Sequence, residues 1–196
     1  MPAPDFSEFA DFAATIAAEA RDITQNYFRR PHNISSKPDG TPVTIADLEI
    51  EKKARLMIAE QYPDHGVYGE EEGEENTHSE WLWVIDPIDG TKSFATGKRT
   101  FGCLIALLQD RRPVLGIIDM PALDERWLGI KDQPTLYNGQ PCRTAETASL
   151  QDATLNATTP DMFSTDEWGV FSRMSEVVRF RQFGADCYAY GLLACG

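Results

Sequence analysis

Apolar residues recur at three-to-four-residue spacing near the start of the chain: Phe6, Phe9, Ala10, Ala13, Ile16, Ala17, Ala20, Ile23 and Tyr27. That period predicts an amphipathic helix over residues 6–28. RRPHNISSKPDGTP, residues 29–42, breaks the period with proline and glycine and predicts a mobile loop or a pair of β-turns. Thr44 stands where an N-cap belongs, and a second helix is expected from Ile45 to about Gln61, with Leu48, Leu56 and Ile58 as its apolar positions. The period then changes. VYGEEEGEENTHSE, residues 67–80, reads as a short strand entering an acidic loop, and WLWVIDP, residues 81–87, as a buried strand. TFGCLIALLQD and RPVLGIIDMP predict two more strands joined by a hairpin at QDRRP, ERWLGIK a further strand, and QPTLYNGQP a turn-rich hairpin. The rest reads as a strand (149–159), a helix (about 166–177), the strand VVRFRQFG and a final helix, DCYAYGLLACG.

The order is therefore two helices, several mostly antiparallel strands, and a β-α-β-α segment. It predicts a mixed α+β or α/β fold in two parts: an N-terminal α+β part, 1–148, and a C-terminal α/β part that begins at 149 and reaches only 196. A chain that stops on an apolar helix leaves that helix without a partner, so a missing C-terminal part is expected.

Composition narrows the function. The chain has 196 residues, 42% hydrophobic and 25% charged, a globular mix. Its net charge of −13 argues against a nucleic-acid partner, which requires a basic face. It leaves room for a phosphorylated substrate, because bound cations reverse the local field. Cys103, Cys142, Cys187 and Cys195 are widely spaced with no CxxC pair, which predicts reduced thiols; Cys187 and Cys195 read as packing residues on the last helix. With no leader-like start and no segment of transmembrane length, the expectation is a soluble, cytoplasmic protein with no membrane partner. His32, His65 and His78 fall in polar loops and read as surface residues, and Trp81, Trp83 and Trp127 as core.

The chemistry concentrates in WVIDPIDGTKSF, Trp83 to Phe94. An apolar strand ends on Asp86, and Asp89 follows after a proline. Asp-Pro and Asp-Gly dipeptides mark turns in many proteins, and an acidic run such as GEEE at 69–72 is commonly a solvated loop. Together, however, they set two acidic strand ends on either side of one short connection. Carboxylates are the hard oxygen ligands that Mg²⁺ prefers. A rigid turn at Pro87 aims Asp86 and Asp89 at one point and leaves the Ile88 carbonyl free as a further ligand. Gly90 admits a phosphate close to the backbone, and a helix starting at Thr91 offers amides to it.

WVIDPIDGTKSF, the upstream GEE and DGTPVTIAD (39–47) together resemble the inositol monophosphatase superfamily of Mg²⁺-dependent, lithium-sensitive phosphatases. KPDGTPVT, DGTKSF and FGADCYAYGLLACG resemble its histidinol-phosphate phosphatase branch more than its inositol branch. The likeness spans nearly the whole chain and implies a layered α-β-α-β sandwich of the inositol monophosphatase (sugar phosphatase) type, with two or three Mg²⁺ ions. By position it implies that Glu70 binds the first metal, Asp86 bridges two, the Ile88 carbonyl binds the first and Asp89 the second. Gly90 and Thr91 give amides to the phosphate; Thr91 and Glu70 position and activate the attacking water; Asp47 orients the Thr91 hydroxyl; Glu71 assists, and Lys37 matches a lysine near the site. A homodimer is a frequent arrangement among such proteins. One departure stands out: the family carries a further metal-ligating aspartate in a W-D or Y-D motif beyond the last helix, which this chain lacks.

Asp186, in GADC, reads equally as a contact to the cationic part of a substrate or as a helix N-cap. The resulting expectation is hydrolysis of a small phosphorylated metabolite, L-histidinol phosphate in histidine biosynthesis, with inositol 1-phosphate or another small ester as the alternative. A non-catalytic cation-binding scaffold is the alternative from a different class.

Overall fold

The computed structural model describes residues 5–30, 34–36 and 42–196. Lys37 and His32, both named above, lie outside the described residues. Helix α1 spans Ser7–Tyr27. Strands β1 (Ile34–Ser36) and β2 (Pro42–Thr44) pair antiparallel, and α2 spans Ile45–Gln61. Strands β3 (Gly66–Gly69), β4 (Gly73–Glu75) and β5 (Trp81–Asp89) follow, then the short helix α3 (Thr91–Ala95). Strands β6 (Gly102–Gln109), β7 (Arg112–Met120), β8 (Glu125–Ile130), β9 (Leu136–Tyr137) and β10 (Gln140–Pro141) complete an eight-stranded sheet of order β10-β9-β8-β7-β6-β5-β3-β4. The last segment holds β11 (Thr154–Ala157), α4 (Thr165–Ser175), β12 (Phe180–Phe183) and α5 (Tyr188–Cys195), with β11 and β12 forming a parallel pair.

One face of the large sheet carries the core. Alternation along β5 sends Trp83 and Ile85 inward, and the neighbouring Ile105, Leu107 and Ile117 bury beside them. Against this face lie the small residues of α1, Ala10, Ala13, Ala17 and Ala20, which let the helix settle close to the strands. Helix α2 buries Ala46, Asp47, Ile50, Glu51, Ala54 and Ile58, whereas Leu48 and Leu56 are exposed. Of the three apolar positions expected to pack, Ile58 does and Leu48 and Leu56 do not; the packed stripe carries two acids in their place. Asp119, fully buried on β7, is held by Arg21 Nε (2.7 Å) from α1 and Arg126 Nε (2.6 Å) from β8.

On the opposite face, α5 packs over Met120 and Trp127, and the Trp127 indole N–H donates to Cys195 Sγ at 3.0 Å. That contact brings the residues just before α5 to the ends of the central strands. His65 is not a surface residue: its ring stacks on Tyr62 with centroids 4.7 Å apart, and its Nδ1 accepts the Trp83 indole N–H at 3.1 Å. Among the described residues no helix is long and apolar enough to cross a membrane.

Candidate active site at the ends of two parallel strands

Strands β3 and β5 are parallel neighbours, with Gly69 opposite Ile85. The next residue on each, Glu70 and Asp86, therefore emerges at the same edge of the sheet. The Glu70 amide still donates to the Ile85 carbonyl at 3.2 Å, and Glu70, Glu71 and Glu72 then form the three-residue loop of the β3–β4 hairpin, closed by Gly73 at φ +76°.

The bulge in β5 explains the spacing of the two aspartates. In a regular strand, positions three apart point to opposite faces. Here Asp86 pairs with Leu104 and Asp89 with Gly102, so Pro87 and Ile88 together oppose the single residue Cys103. The extra residue returns Asp89 to the face of Asp86. Pro87, with no N–H to contribute, occupies the interrupted rung of the ladder. A turn after the strand was expected; the strand in fact runs through to Asp89, and the bulge does the aiming.

Gly90 leaves the strand at φ +84°. A Cβ there would lie 2.9 Å from Asp186 Oδ2 and 3.0 Å from the Thr100 carbonyl oxygen, so the turn and the close approach both require glycine. A cavity of about 250 Å³ opens beside it, lined by Glu70, Asp86, Ile88, Asp89, Gly90, Thr91, Lys92, Thr158 and Asp186. A larger, mainly apolar cavity of about 620 Å³ lies over Val84, Leu104, Ala106 and Ile118 and meets the first at Glu70 and Asp86.

Four acids around one small cavity create a strong demand for positive charge. Burial, then the charges of Glu70 and Asp89 and a hydrogen bond shared with Glu70, push the Asp86 carboxyl up to about 9. Its Oδ1 is buried without a hydrogen-bond partner. An orphaned carboxylate oxygen among other hard oxygens is the donor set a divalent cation fits. The set is convergent but open: among the described residues, no three His, Cys, Asp or Glu side chains already form a metal-holding group. Asp89 is drawn aside, its Oδ2 accepting the Cys187 amide at 2.6 Å.

Other anticipated residues are arranged differently from expectation. Asp47 is not hydrogen-bonded to Thr91. Its Oδ2 accepts the amide (2.8 Å) and hydroxyl (2.5 Å) of Thr44 in a capping box at the start of α2, and its Oδ1 is buried without a partner. Capping is the shorter reach, because Asp47 sits three residues after the cap. The Thr91 hydroxyl instead donates to the Ile88 carbonyl at 3.1 Å, so that carbonyl keeps one lone pair for any further ligand. Asp186 does not cap α5: the N-cap position is Cys187, with no side-chain cap, while Asp186 Oδ2 accepts from Ser93 Oγ at 3.0 Å at the edge of the cavity. Burial raises the Asp186 carboxyl, and the Ser93 bond works against that rise. The Glu71 amide donates to Glu51 Oε2 at 2.7 Å. Ser93, the Cys187 amide, Lys92, Thr158 and Glu51 were not anticipated. Glu51 alone left a signal, four residues after Asp47 on the same stripe of α2.

These features define a class: an acid-lined, cation-seeking cavity at strand ends on a layered α/β fold. The chain belongs to the inositol monophosphatase family, whose model matches residues 5–196. It is 42% identical over 196 residues to the chloroplastic bifunctional phosphatase IMPL2 of Arabidopsis thaliana, covering 98% of this chain and 56% of that one. It is 34% identical over 192 residues to a histidinol-phosphatase of Chlorobaculum parvum, covering 94% and 72%. Its fold matches the solved structure of an inositol monophosphatase from Zymomonas mobilis with a TM-score of 0.87 and 39% identity, covering 99% of this chain and 75% of that one. The layered sandwich expected from the sequence is thus the observed fold. The chain spans little more than half the length of the Arabidopsis relative.

Proposed function

We infer that the protein is a Mg²⁺-dependent phosphomonoesterase whose substrate is L-histidinol phosphate. The observation that carries the reading is the convergence of Glu70, Asp86 and Asp89 on one cavity beside the Gly90–Thr91 turn. Glu70, Asp86, Asp89 and the Ile88 carbonyl would hold the cations. When bound, Mg²⁺ supplies charge neutralisation and a lowered water pKa.

The chain's own groups then have distinct tasks. The Thr91 hydroxyl has its one proton committed to Ile88, so its oxygen acts as an acceptor and orients an attacking water. Glu70, exposed at the rim of the loop, is placed to accept a second proton of that water. The amides of the N-cap Gly90 and of Thr91, like those at the start of any helix, have no intrahelical acceptor and offer donors to the phosphoryl oxygens. Asp186, held by Ser93 at the cavity edge, is left to face the rest of the substrate. With the other acids occupied by cations, a carboxylate there favours an ammonium over a neutral polyol. Similarity to the Chlorobaculum histidinol-phosphatase supports this choice, and similarity to the Zymomonas inositol monophosphatase supports inositol 1-phosphate as the alternative.

Phosphate release in Mg²⁺, compared as kcat/KM for L-histidinol phosphate and inositol 1-phosphate, tests both levels. Preference for histidinol phosphate is expected. Preference for the polyol ester reassigns the substrate. No hydrolysis of either ester, with Mg²⁺ still bound, makes the protein a cation-binding scaffold.

A further inference from the structure

The acidic loop is held from beneath by a residue that does not line the cavity. Glu51 of α2 is fully buried, and its two carboxylate oxygens divide four donors. Oε2 accepts the Glu71 amide at 2.7 Å, and Oε1 the Glu72 amide at 2.9 Å. Arg55, one turn further along α2, donates to Oε1 from Nε at 3.0 Å and from Nη2 at 2.9 Å. The same Nη2 donates to the Gly73 carbonyl at 2.5 Å, at the far end of the loop. Gly69 passes flush over the carboxylate: a Cβ there would fall 2.0 Å from Oε1. Glu70 is therefore bracketed. Its own amide is fixed to Ile85 of the sheet, and the next two amides are fixed to Glu51.

We propose that Glu51, supported by Arg55, is a positioning residue that sets the Glu70–Glu72 loop so that the Glu70 carboxylate meets the cation held by Asp86 and Asp89. A hairpin loop of three consecutive acids repels itself, and an anchor on the amides of its second and third residues opposes that spreading. Burying a carboxylate is costly unless every oxygen is satisfied, and here two of the four donors come from the loop it orders and two from Arg55. The proposal rests on the phosphatase reading above.

Glu51→Gln keeps the shape but replaces one acceptor by an NH₂ group, which then faces N–H donors whichever way the amide is turned. Arg55→Lys keeps the Glu51 carboxylate and the charge but loses the fork that ties it to Gly73, and it serves if the glutamine variant does not fold. The readouts are Mn²⁺ binding followed by electron paramagnetic resonance, the Mg²⁺ concentration giving half-maximal phosphate release, and KM for the ester at saturating Mg²⁺. Both variants are expected to weaken Mn²⁺ binding and raise the Mg²⁺ requirement by about 10-fold or more, the scale seen when residues orienting metal ligands are lost, with the ester KM little changed. Folded variants that bind Mn²⁺ within about twofold of the parent, whatever happens to their melting temperature, overturn this proposal alone. A parent protein that binds no Mn²⁺ and hydrolyses no ester overturns the phosphatase reading and this one with it.

Discussion

Asp86→Asn separates what the site does for the fold from what it does for chemistry. Without a cation, Asp86 is an acid buried among acids, and its carboxyl is raised from 3.8 to about 9. An acid raised on folding contributes its full stability below the unfolded value and loses it as pH rises toward the folded value. The native state of the cation-free protein is therefore penalised progressively as pH rises from about 4 to about 9. At pH 7 the ordinary value lies roughly three pH units away, which at about 1.36 kcal/mol per unit sets a ceiling near 4 kcal/mol. Water in the open cavity beside Asp86 screens part of this, so the realised penalty is smaller, about 1–3 kcal/mol. Asparagine fills the same space without the charge. In EDTA at pH 7, Asp86→Asn is expected to melt higher than the parent, by about 2–4 °C for each kcal/mol in a protein of this size. The gain should vanish near pH 4. Saturating Mg²⁺ should stabilise the parent, by about 2.7 kcal/mol at 100 times Kd, and leave the variant nearly unmoved and inactive. Thermal melts with and without Mg²⁺ across this pH range provide the assay. A variant that is no more stable than the parent in EDTA, or that gains equally from Mg²⁺, refutes the reasoning.

Other expectations follow from neighbouring contacts. Thr91→Ala removes the oxygen proposed to orient water while leaving the carboxylates in place, so kcat should fall by about 10²-fold with Mg²⁺ binding nearly unchanged, read by steady-state kinetics and calorimetry. Burial lowers His65, with Asp64 and Glu80 opposing more weakly, and its Nδ1 must stay unprotonated to accept from Trp83. Its contribution is complete above its unfolded value of 6.5 and is lost as pH falls through the lower folded value. Melts at pH 7.5 and pH 5 should show the parent losing about 1 kcal/mol more than His65→Gln; equal losses contradict this. Asp119→Ala strands Arg21 and Arg126 around a buried site and should cost about 3–5 kcal/mol in chemical denaturation, with Glu70, Asp86 and Asp89 untouched.

Much of this was legible in the chain because the signals are local. The β5 run declares itself by seven apolar-rich residues, the α2 start by Thr44, and the hairpins by their turns. What was not legible depends on pairing across the fold. The bulge at Pro87–Ile88 exists only in register with β6, so the residues suggested a turn where the strand continues. Glu51 lies four residues after Asp47 on the packed stripe of α2, but its role is decided by Gly69 and the loop amides some twenty residues away. His65 reads as a loop residue until Trp83 and Tyr62 close around it. The Asp47–Thr91 contact, expected from family resemblance, gives way here to a cap three residues away.

The acids at the ends of β3 and β5, Glu70, Asp86 and Asp89, are expected to hold a cation together. Calorimetric titration of Mg²⁺ into the parent and into Asp86→Asn measures this without reference to any substrate. Saturable binding by the parent that weakens at least 100-fold in the variant is the predicted result. Equal affinity in the two proteins, or no binding by the parent, contradicts it.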